Sequence, residues 1–242
     1  MKPCAQEGLM IKLYMLGIKN VSAAQFDHFM KRVSPERTRQ VQRIRNWRDA
    51  VRSLFGEVLV RWAVRQVGPA AAFSKPWSRS AFGKPVFADE PDIHFNISHS
   101  GDWVAAAMGP AELGVDVEQM LPVDLGIAES FFSPAELGQL QSLTQEERLG
   151  PFYDIWTLKE SYIKCIGKGL SQPLDSFAIM VHPDGTIEYS GPDEEACHYQ
   201  FTLIPMEGPY KLAVCSKAIG PIEIVEPEMD QLLEMECFQV NF

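Results

Sequence analysis

Two acidic residues, Asp116 and Glu118, stand two positions apart in an otherwise apolar segment. They alternate with Val115 and Val117, which is the period of a β-strand, so both carboxylates are expected on one face of it. Adjacent like charges cost energy unless a cation lies between them, and Mg²⁺ typically takes one or two protein carboxylates together with substrate phosphates. The pair therefore indicates a magnesium site or, because the pattern is short, an ordinary strand face turned to solvent.

A third carboxylate, Glu160, stands four residues before Lys164 in a segment with helical periodicity. Residues at this spacing lie on one face of a helix, where such a pair is often only a surface ion pair. Beside the first two carboxylates, the same residues would supply a further metal ligand and a phosphate-binding lysine. Both interpretations remain open at this point.

A strand that begins near residue 93 ends in the turn Ser98-His99-Ser100-Gly101. Hydroxyls, an imidazole and free backbone N–H groups in one turn can hold a phosphate, although an ordinary hairpin turn can have the same sequence. A serine hydrolase is disfavoured, because the chain has no G-x-S-x-G element and neighbouring strand residues point to opposite faces. The turn therefore predicts an anion contact only in combination with other residues.

Basic residues are concentrated between positions 31 and 65, although the formal net charge of the chain is −10. A local cationic surface in an acidic protein favours a discrete anionic ligand, and the overall charge disfavours nucleic acid. The alternative is a solvated helix face whose arginines pair with neighbouring carboxylates. Gly83-Lys84-Pro85 adds a lysine in a turn that lacks the other residues of a P-loop.

The elements that must position these residues follow from periodicity and from helix-start and turn residues. The predicted order is strand, helices, strands, helices and strands, which indicates an α+β protein with two lobes meeting near residue 113. The predicted helices cover 26–33, a segment from 34 or 49 through 67, a start at 132–136, and 150–168. The predicted strands cover 12–18, 93–97, 103–108, 113–118 and hairpins within 176–218.

The composition excludes several classes of protein. Hydrophobic residues make up 46% and charged residues 22%, which is typical of a globular protein. Five cysteines without a C-x-x-C pair argue against a disulfide framework or a zinc site and fit a reducing cytoplasm. No apolar run approaches the ~20 residues that span a bilayer, so no membrane segment is expected. We interpret the apolar stretch after Leu9, interrupted by Lys12, as a strand; Met10 is then a candidate start, with residues 1–9 an extension.

Four blocks, in this order, resemble the surfactin-synthetase-activating class of 4′-phosphopantetheinyl transferases. They are Gly83-Lys84-Pro85, the segment from Phe95 to Gly101, Gly114-Val115-Asp116-Val117-Glu118, and the segment from Trp156 to Lys164 followed by Gly167-Lys168-Gly169-Leu170. The resemblance extends from about Ile11 to Cys215, which is most of the chain.

The resemblance implies a monomer of two similar α/β lobes, related by a pseudo-two-fold, with coenzyme A bound between them. We expect an N-terminal lobe at 1–113 and a C-terminal lobe with a tail at 114–242. The resemblance further implies that Asp116, Glu118 and Glu160 bind Mg²⁺. The implied coenzyme A contacts are Arg37, Arg52, Ser53, Lys84, Ser98, His99 and Lys164. One departure is Gln40, where the family has a second basic residue. Either Arg39 or Arg43 compensates for it, or the contact to the 3′-phosphate is weaker.

The implied reaction moves the phosphopantetheine arm of coenzyme A to a serine of an acyl or peptidyl carrier protein and releases 3′,5′-ADP. The carrier would belong to a peptide synthetase, as in antibiotic biosynthesis, a polyketide synthase or a fatty-acid synthase, and would dock on residues 120–133. Lys164 would neutralise charge during the transfer. Glu160 is the first expectation for the general base, directly or through a metal-bound water, and Glu136, which also matches a family carboxylate, is the second. The sequence leaves this choice open, because geometry decides a base before pKa does.

Two other functions are compatible with the residues. One is a Mg²⁺-dependent transferase or hydrolase that acts on a small nucleotide without a protein acceptor. The other is a non-catalytic coenzyme A-binding scaffold, which is disfavoured because all three expected metal carboxylates are present.

Overall fold

The computed structural model of the chain describes residues 10–67, 77–87, 90 and 92–235. The expected extension at residues 1–9 and the end of the C-terminal tail lie outside the described residues. Across the described ranges, no helix has both the length and the apolar character needed to cross a membrane.

The N-terminal half forms a sheet with a long helix packed on it. Its helices are α1 (Ala23–Met30), α2 (Pro35–Gln42) and α3 (Trp47–Val67), and its strands are β1 (Ile11–Gly17), β2 (Ser78–Arg79), β3 (Pro85–Val86), β4 (His94–Ser100) and β5 (Trp103–Gly109). Strand β5 lies between β1 and β4 and is antiparallel to both. Leu54 and Val58 of α3 are fully buried in one core with Val104 and Ala106 of β5. This core fixes α3 against the sheet.

The sequence left two starts open for the long helix, and the structure has two helices there. The side chain of Asn46 accepts hydrogen bonds from the backbone N–H groups of Arg48 and Asp49, at 2.8 and 3.3 Å. An asparagine in this role satisfies donors that the first turn of a helix leaves unpaired. Residues 34–67 therefore form α2 and α3 rather than one continuous helix.

The C-terminal half repeats the plan of the first. Its helices are α4 (Ala128–Phe131), α5 (Pro134–Gln141) and α6 (Leu149–Ile166), and its strands are β6 (Leu113–Gln119), β7 (Ala178–Val181), β8 (Ile187–Ser190), β9 (Gln200–Ile204) and β10 (Tyr210–Ser216). Strand β10 lies between β6 and β9, antiparallel to both, as β5 does between β1 and β4. Each half thus places a first strand, a long helix and a later hairpin in the same arrangement, which confirms the α+β class with two similar lobes.

The last described elements, β11 (Ile222–Val225) and α7 (Met229–Leu233), return to the first sheet. Strand β11 pairs in parallel with β1, and the buried residues Leu232 and Met235 pack in the core that surrounds α3. Neither element was predicted from the sequence. The boundary near residue 113 stays a prediction, whereas residues 222–235, expected with the C-terminal lobe, pack on the N-terminal sheet.

The two sheets meet along β4 and β6 through side chains rather than through strand pairing. Backbone N–H groups of Val115, Val117 and Gln119 on β6 donate to the side chains of Asn96, Ser98 and Ser100 on β4, at 2.9, 3.2 and 3.1 Å. These donors would otherwise be buried or half-buried without a partner, which is costly. Polar residues at every second position of β4 therefore join the lobes.

Helix α6 lies against β6 in direct backbone contact at Gly114. A Cβ atom on Gly114 would stand 2.0 Å from the carbonyl oxygen of Ser161 and 2.4 Å from the backbone nitrogen of Cys165. Only glycine fits here without moving the helix or the strand. This contact brings Glu160 and Lys164 of α6 close to Asp116, two residues along β6.

We predict that Gly114→Ala destabilises the protein by about 3 kcal/mol or more, because the added methyl group overlaps backbone atoms. Gly138→Ala is the matched control. Gly138 lies inside α5, and a Cβ there meets nothing within 4 Å. Alanine should stabilise the helix at that position by about 0.5–1 kcal/mol. Urea unfolding of both variants measures the difference, and equal stabilities would contradict the close contact.

Candidate active site

A cleft of 620 Å³ opens where the two lobes meet, and both lobes line it. The N-terminal lobe contributes residues of α2, α3 and β4, and the C-terminal lobe contributes residues of β6 and α6. Eight of the predicted site residues line this cleft: Arg37, Ser53, Ser98, His99, Asp116, Glu118, Glu160 and Lys164. The structure therefore brings together residues that lie far apart in the sequence.

Asp116 is the most buried carboxylate of the cleft, with 3% of its side chain exposed. Its Oδ1 accepts hydrogen bonds from Lys164 Nζ at 2.5 Å and from Ser98 Oγ at 2.9 Å. Ser98 also accepts from Lys164 and from the N–H of Val117, so its hydroxyl group is fully used. The second oxygen, Oδ2, is buried and finds no partner among the described residues. A buried acceptor in this state is costly until a donor or a cation reaches it.

Three carboxylates that line the cleft, Asp116, Glu118 and Glu160, have raised pKa values. Burial and the neighbouring charge of Asp116 raise the pKa of Glu118 to about 7. Burial raises the pKa of Asp116, against the opposing effect of Lys164. Burial and, secondarily, Asp116 also raise the pKa of Glu160. A cation placed among these groups would restore their ionised forms.

The chemistry of these residues fits Mg²⁺. Within the described ranges, no set of three or more metal-ligating side chains is gathered tightly enough to hold an ion by itself. Mg²⁺ does not require such a cage, since it usually keeps waters and shares its ligands between one or two carboxylates and substrate phosphates. The unpartnered, buried Oδ2 of Asp116 is the oxygen best suited to such an ion.

A network of charges holds Arg37 on the part of the cleft wall formed by α2 and α3. Its Nη2 donates to the hydroxyl of Ser53 at 3.0 Å, and its Nη1 donates to Gln40 at 3.3 Å. Its Nε lies 3.1 Å from one oxygen of Glu57, whose other oxygen pairs with Arg61 at 3.2 Å. Burial lowers the pKa of Arg37, and Glu57 opposes that shift. The network presents a guanidinium with a fixed direction.

His99 lies on β4, which also lines the cleft on the side of the N-terminal lobe, and its side chain is exposed to the cleft. Desolvation by the surrounding atoms lowers the pKa of His99, and the charges of Lys164 and Arg52 lower it further. The lowered pKa favours the neutral imidazole, which can donate one hydrogen bond from a ring N–H.

Three predicted site residues do not line the cleft. Arg52 donates to the carbonyl of Gly101 at 2.8 Å and pairs with Asp49. Lys84 reaches two backbone carbonyls elsewhere in the lobe interface. Glu136 lies in the first turn of α5 and is fully buried. The structure thus separates these three from the residues that gather around Asp116.

Glu136 is bound on every side by donors. Its oxygens accept from Lys159 Nζ at 2.6 and 2.7 Å, from the N–H of Ile179 at 2.8 Å, and from the N–H of Ser133 at 2.7 Å. As the third residue of α5 it also completes the cap that Ser133 begins. A carboxylate held in this way joins α5 to α6, and it does not line the cleft.

Sequence reasoning missed several residues that line the cleft or support it. Glu57, Arg61, Trp77, Arg79 and Trp156 line it, and Asn96 and Ser100 support β6 from behind. Glu57 and Arg61 stand four residues apart on α3, a spacing that could have suggested the pair. For Trp77, no spacing to other candidate residues in the sequence predicts a place in the cleft.

Comparisons with known proteins place the chain in a family. A family model described as the 4′-phosphopantetheinyl transferase superfamily matches residues 112–215, and one described as the N-terminal part of a 4′-phosphopantetheinyl transferase matches residues 20–111. The 4′-phosphopantetheinyl transferase Sfp of Bacillus subtilis (strain 168) is 39% identical over 81% of this chain and 87% of its own length. The chain belongs to the 4′-phosphopantetheinyl transferase superfamily.

Other relatives extend the similarity further along the chain. The 4′-phosphopantetheinyl transferase gsp of Aneurinibacillus migulanus is 35% identical over 93% of this chain and 95% of its own length. Membership confirms the resemblance that the sequence blocks indicated. It makes the protein a transferase of the holo-carrier-protein synthase type.

We predict that Glu136→Gln lowers the free energy of unfolding by about 3–5 kcal/mol, because it leaves the Lys159 ammonium buried without its counter-charge. The folded fraction should keep its rate of transfer within a few-fold. Glu146→Gln, exposed in the loop after α5 and outside the cleft, is the control and should change neither quantity. Urea unfolding and transfer assays well below the midpoint of unfolding measure the two effects. A stable variant with a rate reduced by orders of magnitude would instead make Glu136 a catalytic base.

Proposed function

We propose that this transferase moves the 4′-phosphopantetheine arm of coenzyme A onto a serine hydroxyl of an apo carrier protein, in a Mg²⁺-dependent reaction that releases 3′,5′-ADP. One observation carries the proposal. Asp116, Glu118, Glu160 and Lys164 line a single inter-lobe cleft together with a wall that bears Arg37. Oxygen ligands beside phosphate-binding cations are the combination that phosphoryl transfer requires.

Asp116, Glu118 and Glu160 are the residues that would hold Mg²⁺, which would act as a Lewis acid on the pyrophosphate oxygens. The remaining charge compensation comes from the protein. Lys164 already lies against Asp116 and Ser98, and its third N–H is available to a phosphate oxygen. An ammonium at this position stabilises the charge that develops on the transferred and leaving oxygens.

The N-terminal wall supplies the contacts that orient coenzyme A. The neutral ring of His99 is suited to donate one hydrogen bond to the pyrophosphate. Arg37, held by Ser53 and Glu57, is suited to bind the 3′-phosphate. Arg52 does not line the cleft, and its contact to the nucleotide stays a prediction.

Glu160 is our proposed general base for the carrier serine. Its carboxylate lines the cleft and makes no hydrogen bond or ion pair to another group within the described residues. Glu136 differs from Glu160 in this respect, because both of its carboxylate oxygens already accept hydrogen bonds from buried donors.

We propose that the carrier docks on residues 120–133, beside the metal strand. Leu121 and Ile127 are 54% and 38% exposed, although Ala128 and Phe132 of the same segment pack inside. The hydroxyl of Tyr153 on α6 accepts from the N–H of Leu121 and donates to its carbonyl, both at 3.2 Å. These bonds hold the segment next to the cleft while leaving its apolar side chains free for contact.

Apolar docking suits the charge of this enzyme. Its formal net charge of −10 gives no attraction toward an acidic carrier domain, so contact has to come from apolar surface and local basic residues. We further propose a cytoplasmic monomer. Its three described cysteines are free thiols, as expected in a reducing compartment.

We predict that Asp116→Asn lowers the rate of arm transfer by roughly 100-fold or more while the protein stays folded, because it removes the charge that anchors the cation site. Incubation with EDTA should abolish transfer, and added Mg²⁺ should restore it. The measurement is the mass of an apo carrier domain incubated with coenzyme A. Asp27→Asn, on the exposed side of α1, is the control. Full activity in EDTA would overturn the metal assignment, and an unmodified carrier would favour a small-molecule acceptor.

We predict that Arg37→Ala raises the KM for coenzyme A by roughly 10–150-fold, because a charge-assisted contact to phosphate contributes ~1.5–3 kcal/mol. The KM for dephospho-coenzyme A, which has no 3′-phosphate, should barely change. Gln40→Lys should lower the KM for coenzyme A selectively, since it adds a cation beside Arg37. Arg45→Ala, exposed between α2 and α3, is the control. Steady-state kinetics with both donors decide, and equal effects on the two would mean that Arg37 only shapes the lobe.

A further inference from the structure

Lys84 makes three contacts that join the N-terminal lobe to the C-terminal one. Its Nζ donates to the carbonyl of Leu113 at 2.9 Å and to the carbonyl of Cys165 at 3.0 Å. Its alkyl chain lies over Gly167, where a Cβ atom would stand 3.2 Å from Lys84 Cδ. The turn that carries Lys84 belongs to the N-terminal half, whereas Leu113 lies in β6, Cys165 lies in α6, and Gly167 caps α6.

These contacts lie at the points where β6 and α6 are anchored. Leu113 is the first residue of β6, and Cys165 lies in the last turn of α6, whose cap is the left-handed Gly167 (φ +67°). The last carbonyls of a helix have no partner inside it, and a cation at that end is favoured by the helix dipole. One ammonium therefore satisfies a helix end and a strand start together.

The same two elements carry the centre of the cleft. Lys164 immediately precedes Cys165, and Asp116 follows Leu113 by three residues. Their side chains meet at 2.5 Å, in a region where α6 and β6 are in backbone contact at Gly114. A tether on Leu113 and Cys165 thus restrains both partners of this contact from one side.

We propose that Lys84 is a positioning residue, which fixes α6 against β6 and thereby the relation between Lys164 and Asp116, and that it is not a ligand of the coenzyme A phosphates. Two of its three N–H donors are committed to carbonyls, and it lines a separate 440 Å³ cavity rather than the 620 Å³ cleft. The catalytic part of this inference rests on the proposed function, and the structural part does not.

The test compares Lys84→Met, which keeps the alkyl chain and removes the charge, with Lys168→Met. Lys168 is exposed near the same end of α6 and serves as the matched control. For Lys84→Met we expect a Tm lower by about 4–10 °C, from the loss of hydrogen bonds to a charged group. We also expect faster hydrogen exchange of the backbone amides in the last turn of α6. Lys168→Met should show neither change.

Kinetics distinguish positioning from phosphate binding and from a purely structural role. For Lys84→Met, assayed well below its Tm, we expect kcat to fall by about 10–100-fold, because small displacements of reacting groups have such effects. The KM for coenzyme A should stay within about twofold. A KM raised by roughly tenfold or more, with unchanged Tm and exchange, would make Lys84 a phosphate ligand. A lower Tm with unchanged kcat would reduce Lys84 to a structural residue, and either result overturns the proposal.

If Lys84→Met does not fold, Lys84→Gln replaces it in the same measurements. Its neutral amide keeps hydrogen-bond donors on a shorter chain, so we expect smaller changes in Tm and exchange and again a lower kcat at unchanged KM. The hydrogen-exchange arm requires no coenzyme A or carrier. If the wild-type enzyme fails to modify a carrier, the proposed function fails, while the exchange data still decide whether Lys84 tethers α6.

Discussion

The line of hydrogen bonds between β4 and β6 is the contact on which the rest of this site depends. The side chains of Asn96, Ser98 and Ser100 accept hydrogen bonds from backbone N–H groups of β6 that point away from β10. The two serines then donate to the carboxylates of the same strand, Ser98 to Asp116 at 2.9 Å and Ser100 to Glu118 at 2.8 Å. One set of polar side chains therefore joins the lobes and orients the acidic residues.

The buried charges of the protein fall into two kinds. Glu136 and Lys159 are almost fully buried, but their contacts include two short bonds to each other and further bonds to backbone groups. Asp116 is equally buried, yet one of its oxygens lacks a partner among the described residues. A satisfied pair stabilises packing, whereas an unsatisfied carboxylate beside other carboxylates is unfavourable until a ligand arrives. This contrast distinguishes the structural ion pair from the proposed functional site.

Several features could be predicted from sequence because they depend on spacing along one element. Strand alternation placed Asp116 and Glu118 on one face, and both line the cleft. Helical spacing placed Glu160 and Lys164 together on α6, which ends at Ile166, close to the predicted end at residue 168. The order of the sequence blocks indicated the family, which the comparisons show. Local geometry and the order of motifs can therefore be predicted from the sequence alone.

The partners of each long side chain were decided only by the tertiary structure. Sequence placed Lys84 among the phosphate contacts and Glu136 among the bases, but the fold directs one to two carbonyls and the other to Lys159. It also returns β11 to the N-terminal sheet. The physical reason is that a lysine or glutamate is satisfied by any suitable group within reach. Which groups are within reach depends on contacts between elements that are distant in the chain, such as α6 against β6 at Gly114.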